Sequence, residues 1–364
     1  MKISIKKELF LEAILKVLNV INPKTNLPIL SNILIESIDS KIKISATDLD
    51  IGITTLVPAL INESGAITIP AKKFSEIIRE FPEEEVKIMV KKNNSINIEC
   101  KECSFRLMGL PKEEFPQLPD FKNKDVLKID PVELAKMLEL TSFSMSKDET
   151  RYVLNGILFE IEGTNLRLVS TDGRRLAIIS KDIVYGNASK KISMIIPAKT
   201  IQELMRSINQ SDEEIAMVIS ENQVLFEMGQ TSVVSRLIEG EFPNYKQVIP
   251  TNNPYTIQIE RLAFLAALRR ASLLATSDYQ AVRLELFKNK MVVSKSTPDL
   301  GESREEIPMQ YNGKETVIGF NPYYLIEALK NLTTGQINIE ISDPEKPAVL
   351  KEPNYQYVVL PMRL

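Results

Sequence analysis

The sequence predicts an α+β protein made of three repeats of one domain plan, each with two helices packed on antiparallel sheets. Three observations indicate this. An apolar stripe with helical spacing recurs roughly every 125 residues, and a similar sequence segment precedes each copy. Strand-like segments lie between the stripes at matching positions in each repeat. An array of similar domains is typical of a scaffold surface, whereas catalysis needs one asymmetric pocket. The pattern therefore favours binding over catalysis.

Two apolar stripes at i, i+3, i+4 and i+7 predict two helices in each repeat. The first is Leu11, Ile14, Leu15 and Leu18, then Leu134, Met137, Leu138 and Thr141, then Phe264, Ala267, Leu268 and Ala271. The second is Phe74, Ile77, Ile78 and Phe81, then Ile201, Leu204, Met205 and Ile208, then Leu325, Ala328, Leu329 and Leu332. The similar sequence segments that precede the second helix begin at Ile69, Ile196 and Ile318.

Strands and a hairpin are predicted between the two helices of each repeat. The segments 32–36, 156–160 and 281–285 are rich in β-branched and apolar residues. Polar turns follow at Asp48, Asp172 and Asp299, each between two further strands. Because aspartate readily hydrogen-bonds its own turn, we interpret these carboxylates as turn caps; a catalytic role is the alternative.

Domain boundaries are expected near Lys124 and Asn252, which gives domains 1–124, 125–252 and 253–364. A charged segment lies at the first boundary and an Asn/Pro-rich segment at the second, and the sequence has no long linker at either. The domains should therefore pack directly against one another.

Composition narrows the class of protein further. The chain has 364 residues and 44% apolar content, enough for several cores. The N-terminus is charged where a signal peptide would be apolar, and no uncharged run approaches the ~20 residues of a membrane span. We expect a cytoplasmic protein that does not associate with membranes.

Metal, redox and catalytic sites have little support in this sequence. Cys100 and Cys103 are its two cysteines and it has no histidine, so one chain cannot complete a structural zinc site. Their flanks resemble a hairpin, with Lys101 and Glu102 as the turn. Missing histidine also excludes Ser-His-Asp and Cys-His catalysis, and no phosphate-binding Gly-Lys-Ser/Thr loop is present. We expect no cofactor and no metal.

Charge is informative only when it is divided along the chain. The net charge is −3, which argues against a general nucleic-acid binder. The six predicted helices carry 13 Lys/Arg against 10 Asp/Glu, so the remainder is at −6. This is consistent with helices that line a positively biased surface, and equally with lysine-rich helix faces that favour solubility.

Five segments of the sequence resemble a known protein family. The segments 27–32, 151–156, 170–177 and 241–250 and the terminus 359–364 are similar to the bacterial DNA polymerase III beta subunit, the replicative sliding clamp. The resemblance runs from Met1 to Leu364. It implies three DNA-clamp domains that dimerise into a six-domain ring around double-stranded DNA, without sequence preference. Such a clamp tethers the replicative polymerase for processive synthesis and has no catalytic site.

The resemblance also implies a dimer interface and a DNA-facing surface. Phe105 and Leu107 on an edge strand of one subunit would meet Leu273 and Leu274 on a helix of the other; an intradomain core is the alternative for these four residues. The implied DNA-facing residues are Lys24, Lys72, Lys73, Tyr152, Lys199, Arg206, Arg269 and Arg270. Val153 and Asp148 depart from the family pattern beside Tyr152, which bears on the strength of DNA contacts there.

A groove for short client peptides is implied as well, used by DNA polymerase III and other clients. The matching residues are Arg151, Leu154, Thr171, Gly173, Arg174, Arg175, Leu176, Pro243, Val248, Asn321, Tyr324, Val358, Leu360, Pro361, Met362 and Arg363. Leu154, Leu176 and Val358 could equally belong to a core. Arg174 and Gln247 replace residues common in the family, which bears on peptide preference.

Loading would require a separate ATP-driven clamp loader, because no nucleotide-binding motif is present in this chain. Two other classes of protein remain as alternatives. One is an enzyme that uses carboxylates on the repeated turns, and the other is a monomeric interaction scaffold.

Overall fold

A computed structural model describes residues 1–22, 25–119, 121, 126–185, 191–208 and 213–364 of the chain. The first repeat contains β1 Lys2–Lys6, α1 Lys7–Leu18, β2 Asn32–Ile38, β3 Lys41–Thr47, β4 Ile51–Pro58, β5 Leu60–Glu63, β6 Ala66–Pro70, α2 Ala71–Glu80, β7 Glu85–Val90, β8 Ser95–Cys100 and β9 Cys103–Met108. The second contains β10 Val126–Ile129, α3 Pro131–Ser142, β11 Gly156–Glu162, β12 Asn165–Thr171, β13 Arg175–Asp182, β14 Val184–Tyr185, β15 Ile192–Pro197, α4 Ala198–Ile208, β16 Ile215–Ile219, β17 Gln223–Met228 and β18 Thr231–Arg236. The third contains β19 Tyr255–Glu260, α5 Arg261–Ser272, β20 Val282–Leu286, β21 Lys290–Thr297, β22 Gly301–Tyr311, β23 Thr316–Phe320, α6 Pro322–Asn331, β24 Gln336–Ile341, β25 Ala348–Glu352 and β26 Tyr355–Val359.

Each repeat follows the same order: a strand, a helix, a run of strands, a second helix and three closing strands. The first two repeats add one short strand each, β5 and β14. Neighbouring strands within every repeat pair antiparallel, as in the hairpins β2–β3, β11–β12 and β20–β21. The predicted α+β class with three domains of one plan is therefore confirmed.

Five of the six predicted helical stripes face a core. In α2, for example, Phe74 and Ile78 are fully buried, and Phe74 stacks edge-on against Phe10 with ring centroids 5.4 Å apart. The apolar stripe predicted for α1 was wrong in part, because only Ile14 of its four residues is fully buried. The buried face of α1 is formed by Phe10, Ala13, Ile14 and Val17, whereas Leu15 is 40% exposed.

The chain forms two compact units, one of which comprises Met1–Glu133, Val184–Asn187 and Lys199–Leu237. Its larger sheet has nine strands in the order β14-β10-β16-β17-β18-β4-β3-β2-β6. The junction between the first two repeats is β18 against β4, where Thr231 lies opposite Thr55 and Ser235 opposite Ile51. The same unit holds a five-stranded sheet, β5-β1-β7-β8-β9, in which β9 is an edge strand.

The second unit comprises Leu134–Ile183, Ala188–Ala198 and Ile238–Leu364. Its sheet has twelve strands in the order β15-β11-β12-β13-β26-β25-β24-β19-β22-β21-β20-β23. The second and third repeats join where β13 pairs with β26, with Arg175 opposite Val359 and Ile179 opposite Tyr355. Both junctions consist of backbone hydrogen bonds between repeats, so the predicted direct packing of the domains is confirmed.

Two of the three repeated aspartates, Asp48 and Asp172, cap their own turns. Asp48 Oδ1 accepts hydrogen bonds from the backbone N–H groups of Asp50 and Ile51, at 3.0 and 2.9 Å. Asp172 Oδ1 accepts in the same way from Arg174 and Arg175, at 2.9 and 3.1 Å. The structural interpretation of these two carboxylates is confirmed, because side chains that satisfy orphan turn donors have a conformational role.

The two cysteines lie where the sequence indicated. Cys100 ends β8, Cys103 begins β9, and the two residues are register partners across a turn at Lys101 and Glu102. Both thiols are free, and Cys100 is buried. In the described part of the chain, no three His, Cys, Asp or Glu side chains lie close enough together to hold a metal ion. None of the described helices combines the length and apolarity that crossing a bilayer requires.

Candidate functional site

A small apolar groove lies in the second compact unit, beside the junction of β13 and β26. It encloses about 160 Å³. Its lining residues are Leu154, Thr171, Gly173, Arg174, Arg175, Leu176, Pro243, Asn244, Tyr245, Val248, Val358 and Leu360. Ten of these belong to the sixteen residues that the family resemblance implied. The structure thus brings together residues from four separate segments of the sequence.

The floor of the groove is continuous with a hydrophobic core. Leu154, Leu176 and Val358 are 7%, 3% and 3% exposed and pack within one buried cluster. These three side chains therefore line the groove and also belong to the hydrophobic core. The rim differs, because Val248 is 54% exposed and Leu360 is 40% exposed. An apolar floor with exposed apolar rims is suited to anchor side chains of a peptide.

The turn between β12 and β13 forms one edge of the groove. Gly173 has φ +85°, a conformation that glycine adopts without strain, and its N–H donates to Thr171 Oγ1 at 3.0 Å. The N–H of Leu360 donates to the carbonyl of Arg174 at 3.0 Å, which fixes the chain end against this turn. The guanidinium of Arg174 is exposed at this edge.

Arg175 lies beneath the groove as a structural cation. Its Nε donates to Asp172 Oδ2 at 3.0 Å, its Nη1 to Glu327 and its Nη2 to the carbonyl of Phe143 at 2.6 Å. The guanidinium also lies 4.5 Å from the ring centroid of Tyr324. Because these donors are already engaged, we assign Arg175 to positioning the turn rather than to holding peptide carbonyls.

Replacing Arg175 tests this assignment. We expect Arg175→Met to lower the free energy of unfolding by about 3–5 kcal/mol, because Glu327 and Asp172 lose a buried charge partner. The matched control is Arg174→Met, which removes an exposed neighbouring guanidinium and should leave stability within about 0.5 kcal/mol. Urea denaturation followed by circular dichroism measures both. Equal stability of the two variants would contradict a structural role for Arg175.

Six of the predicted groove residues do not line the cavity. Arg151 Nη1 donates to the carbonyl of Asp172 at 3.3 Å and so braces the turn. Asn321 caps α6 by accepting from the N–H of Tyr323 at 3.0 Å. Tyr324, Pro361, Met362 and Arg363 complete the six; the N–H of Met362 donates to the carbonyl of Gly319 at 2.8 Å.

Sequence reasoning missed Asn244 and Tyr245 as lining residues. Tyr245 is buried, and its hydroxyl donates to Glu160 Oε2 at 2.5 Å. Burial, followed by this hydrogen bond, raises the pKa of Tyr245 to about 12, so the hydroxyl stays protonated at neutral pH. Both residues lie in segment 241–250, one of the segments whose sequence resembles the family.

Most of the predicted DNA-facing cations have acidic partners. Lys73 Nζ lies 2.6 Å from Glu76 Oε2, and Arg270 Nε lies 2.7 Å from Glu305 Oε2. Further contacts are Lys199 with Asp48 and Arg206 with Glu203, whose carboxyl pKa is raised by burial. Within the described residues, Lys72 and Arg269 are exposed and form no ion pair. Tyr152 is 59% exposed, and Lys24 lies outside the described residues.

The predicted interface residues are largely accessible. Phe105 on the edge strand β9 is 45% exposed, with its ring centroid 5.6 Å from that of Phe81, and Leu107 is half-buried. Leu273 is 80% exposed, and Leu274 is half-buried. One detail was wrong: α5 ends at Ser272, so these leucines lie at and just beyond its C-cap.

Comparisons with known proteins agree along the whole chain. Family models of the DNA polymerase III beta subunit match its N-terminal domain at residues 1–119, its central domain at 128–244 and its C-terminal domain at 246–363. This chain belongs to the DNA polymerase III beta subunit family. The family consists of sliding clamps, which act as processivity factors of DNA polymerase and are not catalytic.

Individual relatives are similar over their full length. The beta sliding clamp of Escherichia coli K12 is 32% identical over 370 residues, covering 100% of both chains. That of Chlamydia muridarum is 30% identical over 365 residues, covering 100% of this chain and 99% of the relative. The crystal structure of the Bacillus subtilis DNA polymerase sliding clamp is 29% identical with a TM-score of 0.97, covering 100% of this chain and 99% of that one.

Proposed function

We propose that two copies of this chain close head to tail into a ring that encircles double-stranded DNA. The observation that carries this is the pairing rule between repeats. At both junctions the last strand of one repeat pairs with the strand after the hairpin turn of the preceding repeat, β18 with β4 and β26 with β13. Applied to the remaining strands, the rule leaves β9 and the first half of β22 without partners.

These two edges are open within the described part of the chain. β9 pairs on one side only, with β8. Residues 301–308 of β22 pair on one side only, with β21. Open strand edges expose unpaired backbone groups, and natural proteins cover or blunt them. A second copy could cover both, because β9 of each chain would pair with β22 of the other, and such a heterologous contact repeated twice closes.

Apolar side chains lie beside both edges. Phe105 and Leu107 belong to β9. Leu273 and Leu274 precede the β21–β22 hairpin, and Thr297 Oγ1 at its turn donates to the carbonyl of Leu274 at 2.5 Å. Exposed apolar residues at two complementary edges favour a homodimer over a monomeric scaffold.

The ring would hold DNA by topology, with weak phosphate contacts that carry no sequence information. We assign these contacts to Lys72, Lys73, Lys199, Arg206, Arg269 and Arg270, with Lys24 and Tyr152 as further candidates. Acidic partners at four of the six cations limit their attraction to phosphate. A loose hold is suited to a protein that must slide.

Clients would bind in the apolar groove through short peptides with apolar anchors. DNA polymerase III is one client that we propose, and a separate ATP-driven loader would open the ring. A replication factor of this kind works on the chromosome, so we place it in the cytoplasm. We infer that the domain boundaries lie near residues 124 and 252.

Retention on circular DNA tests the ring. Protein loaded onto a nicked plasmid by a clamp loader should co-elute with the plasmid in gel filtration at high salt, and linearising the plasmid should release it. Retention after linearisation would mean that direct contacts rather than topology hold the protein. A single-chain mass of 41.1 kDa in sedimentation would instead favour the monomeric scaffold, and turnover of a substrate would favour the enzyme.

The salt dependence of DNA binding should respond to single charges. We expect Glu76→Gln to free Lys73 and steepen the slope of log K against log [salt] by up to about 0.9, and Lys72→Ala to reduce the slope by a similar amount. Lys92→Ala, at an exposed turn of the same repeat, should leave it unchanged. Fluorescence anisotropy on a short duplex measures the slopes. Identical slopes in all three variants would remove α2 from the DNA-facing surface.

A further inference from the structure

The sheets of the three repeats contain equivalent cross-strand rows, in which each residue lies opposite the next on a neighbouring strand. Every row begins after the last strand of its repeat, at a residue joined to the rest by an isolated β-bridge, and ends on the strand after the hairpin turn. The rows are Leu110, Thr68, Leu34, Ser45 and Thr54; Ile238, Ile195, Leu158, Val169 and Ile178; and Met362, Gly319, Arg283, Ser294 and Arg304.

The rows define how the repeats pair with one another. At both junctions inside the chain, the last member of a row lies opposite the residue that precedes the start of the next repeat's row by six positions. Ser232, for example, lies opposite Thr54. The same rule assigns Ser104 to Arg304, and these two residues must come from different copies of the chain because β9 and this part of β22 are open edges.

This register places large apolar side chains opposite small residues. One position along from Ser104, Phe105 lies opposite Ser303 of the other copy, and Leu107 lies opposite Gly301. Directly opposite residues of an antiparallel pair point to the same side of the sheet and interact there. The phenyl ring of Phe105 therefore has room beside β22 to contact other apolar side chains of the second copy.

A contact of this kind already exists between the second and third repeats. Tyr357 is the equivalent of Phe105, because each lies five residues before the first member of its row. Phe143 is the equivalent of Leu273, because each directly follows the first helix of its repeat. The rings of Phe143 and Tyr357 lie with their centroids 5.6 Å apart. The equivalence thus supports a contact between Phe105 of one copy and Leu273 of the other.

The same register brings together two charges that have no charged partner in the isolated chain. Arg106 lies opposite Glu302 of the other copy, on the face of the sheet away from Phe105. Both side chains are exposed, and neither forms an ion pair within the described residues. Arg106 Nε donates to Asn97 Oδ1 on the neighbouring strand at 3.3 Å, which leaves its terminal nitrogens available.

We propose that Arg106 of each copy pairs with Glu302 of the other, and that this ion pair fixes the register of the β9–β22 contact. The inference rests on the proposed ring, which contains the pair twice. A slip of two residues would place Arg106 opposite Arg304, where like charges repel each other. The pair therefore selects one alignment of the two edges, in addition to the apolar contacts that stabilise the dimer.

Charge reversal tests the pair in the full-length protein. We expect Arg106→Glu and Glu302→Arg each to raise the dissociation constant of the dimer at least about tenfold, because like charges replace the attraction at both contacts. An equimolar mixture of the two variants should recover wild-type affinity as a mixed dimer, since both contacts then join opposite charges. Lys314→Glu reverses an exposed charge in the loop after β22 and is the matched control. Its affinity should equal that of the wild type.

Sedimentation velocity measures the affinities, and native mass spectrometry with one tagged variant identifies the mixed dimer. A wild-type mass of 41.1 kDa would contradict the ring itself and the inference with it. A dimeric wild type whose two variants show no preference for each other would overturn only the ion pair. Tighter dimerisation of Arg106→Glu would also overturn it, because that result is expected if Arg106 lies opposite Arg304.

Discussion

Replacing both Leu273 and Leu274 by aspartate should convert the dimer into folded monomers. Leu273 is 80% exposed in the isolated chain, so a charge there costs little in the monomer. In the proposed dimer the same positions face Phe105 and Leu107 of a second copy. Two carboxylates without partners in an apolar contact cost several kcal/mol, and the proposed ring contains this contact twice. Analytical ultracentrifugation should give a mass of 41.1 kDa for the variant.

The control for this experiment uses exposed apolar residues away from the proposed contact. Val132 is 74% exposed and Leu262 is 58% exposed, and the double variant Val132→Asp/Leu262→Asp adds the same charge. We expect it to remain dimeric. Circular dichroism of both variants checks that folding survives. A dimeric Leu273→Asp/Leu274→Asp protein would show that the contact lies elsewhere, and dimerisation through β9 and β22 would then need another test.

Repetition made the fold predictable from the sequence. Three copies of each helix stripe and each turn removed the ambiguity that a single copy leaves, and the Asp48 and Asp172 turns follow from local chemistry alone. The stripe of α1 failed because this helix carries apolar residues on nearly all sides. Phe10 and Val17 form one stripe and Leu11 and Leu15 another. Periodicity alone does not select the buried one, which is determined by packing against α2 and the sheet.

The candidate sites were less predictable because their geometry depends on distant contacts. Lys199 contacts Asp48, which lies 151 positions away along the chain, so local sequence patterns do not reveal that its charge is paired. Arg175 resembled a rim residue in the sequence, but its contact with Glu327 reveals a structural cation. The burial of Lys295 could have been predicted from the sequence, since Met291, Val293, Lys295 and Thr297 alternate on the buried side of β21. A lysine at such a position is unusual in a strand core.

Removing residues 360–364 should abolish peptide binding while dimerisation and DNA encirclement persist. Leu360 and Val248 both line the groove, and the chain end is held by hydrogen bonds to Arg174 and Gly319. Each apolar anchor buried in such a groove contributes ~1.5–3 kcal/mol, so losing one wall should weaken a micromolar peptide beyond detection. Fluorescence anisotropy with a labelled peptide of the polymerase-tail type measures the affinity.

Point variants separate the groove wall from the rest of the chain end. Leu360→Asp and Val248→Asp each change an exposed rim residue, so both should fold normally and lose peptide binding. Leu300→Asp adds the same charge outside the groove and should bind as the wild type does. If the truncated chain alone lost binding, the effect would arise from the contact between Met362 and Gly319 rather than from the groove wall. Loss of the dimer in the truncated chain would instead assign the chain end to the core, because a peptide-binding wall contributes nothing to an interface formed by β9 and β22.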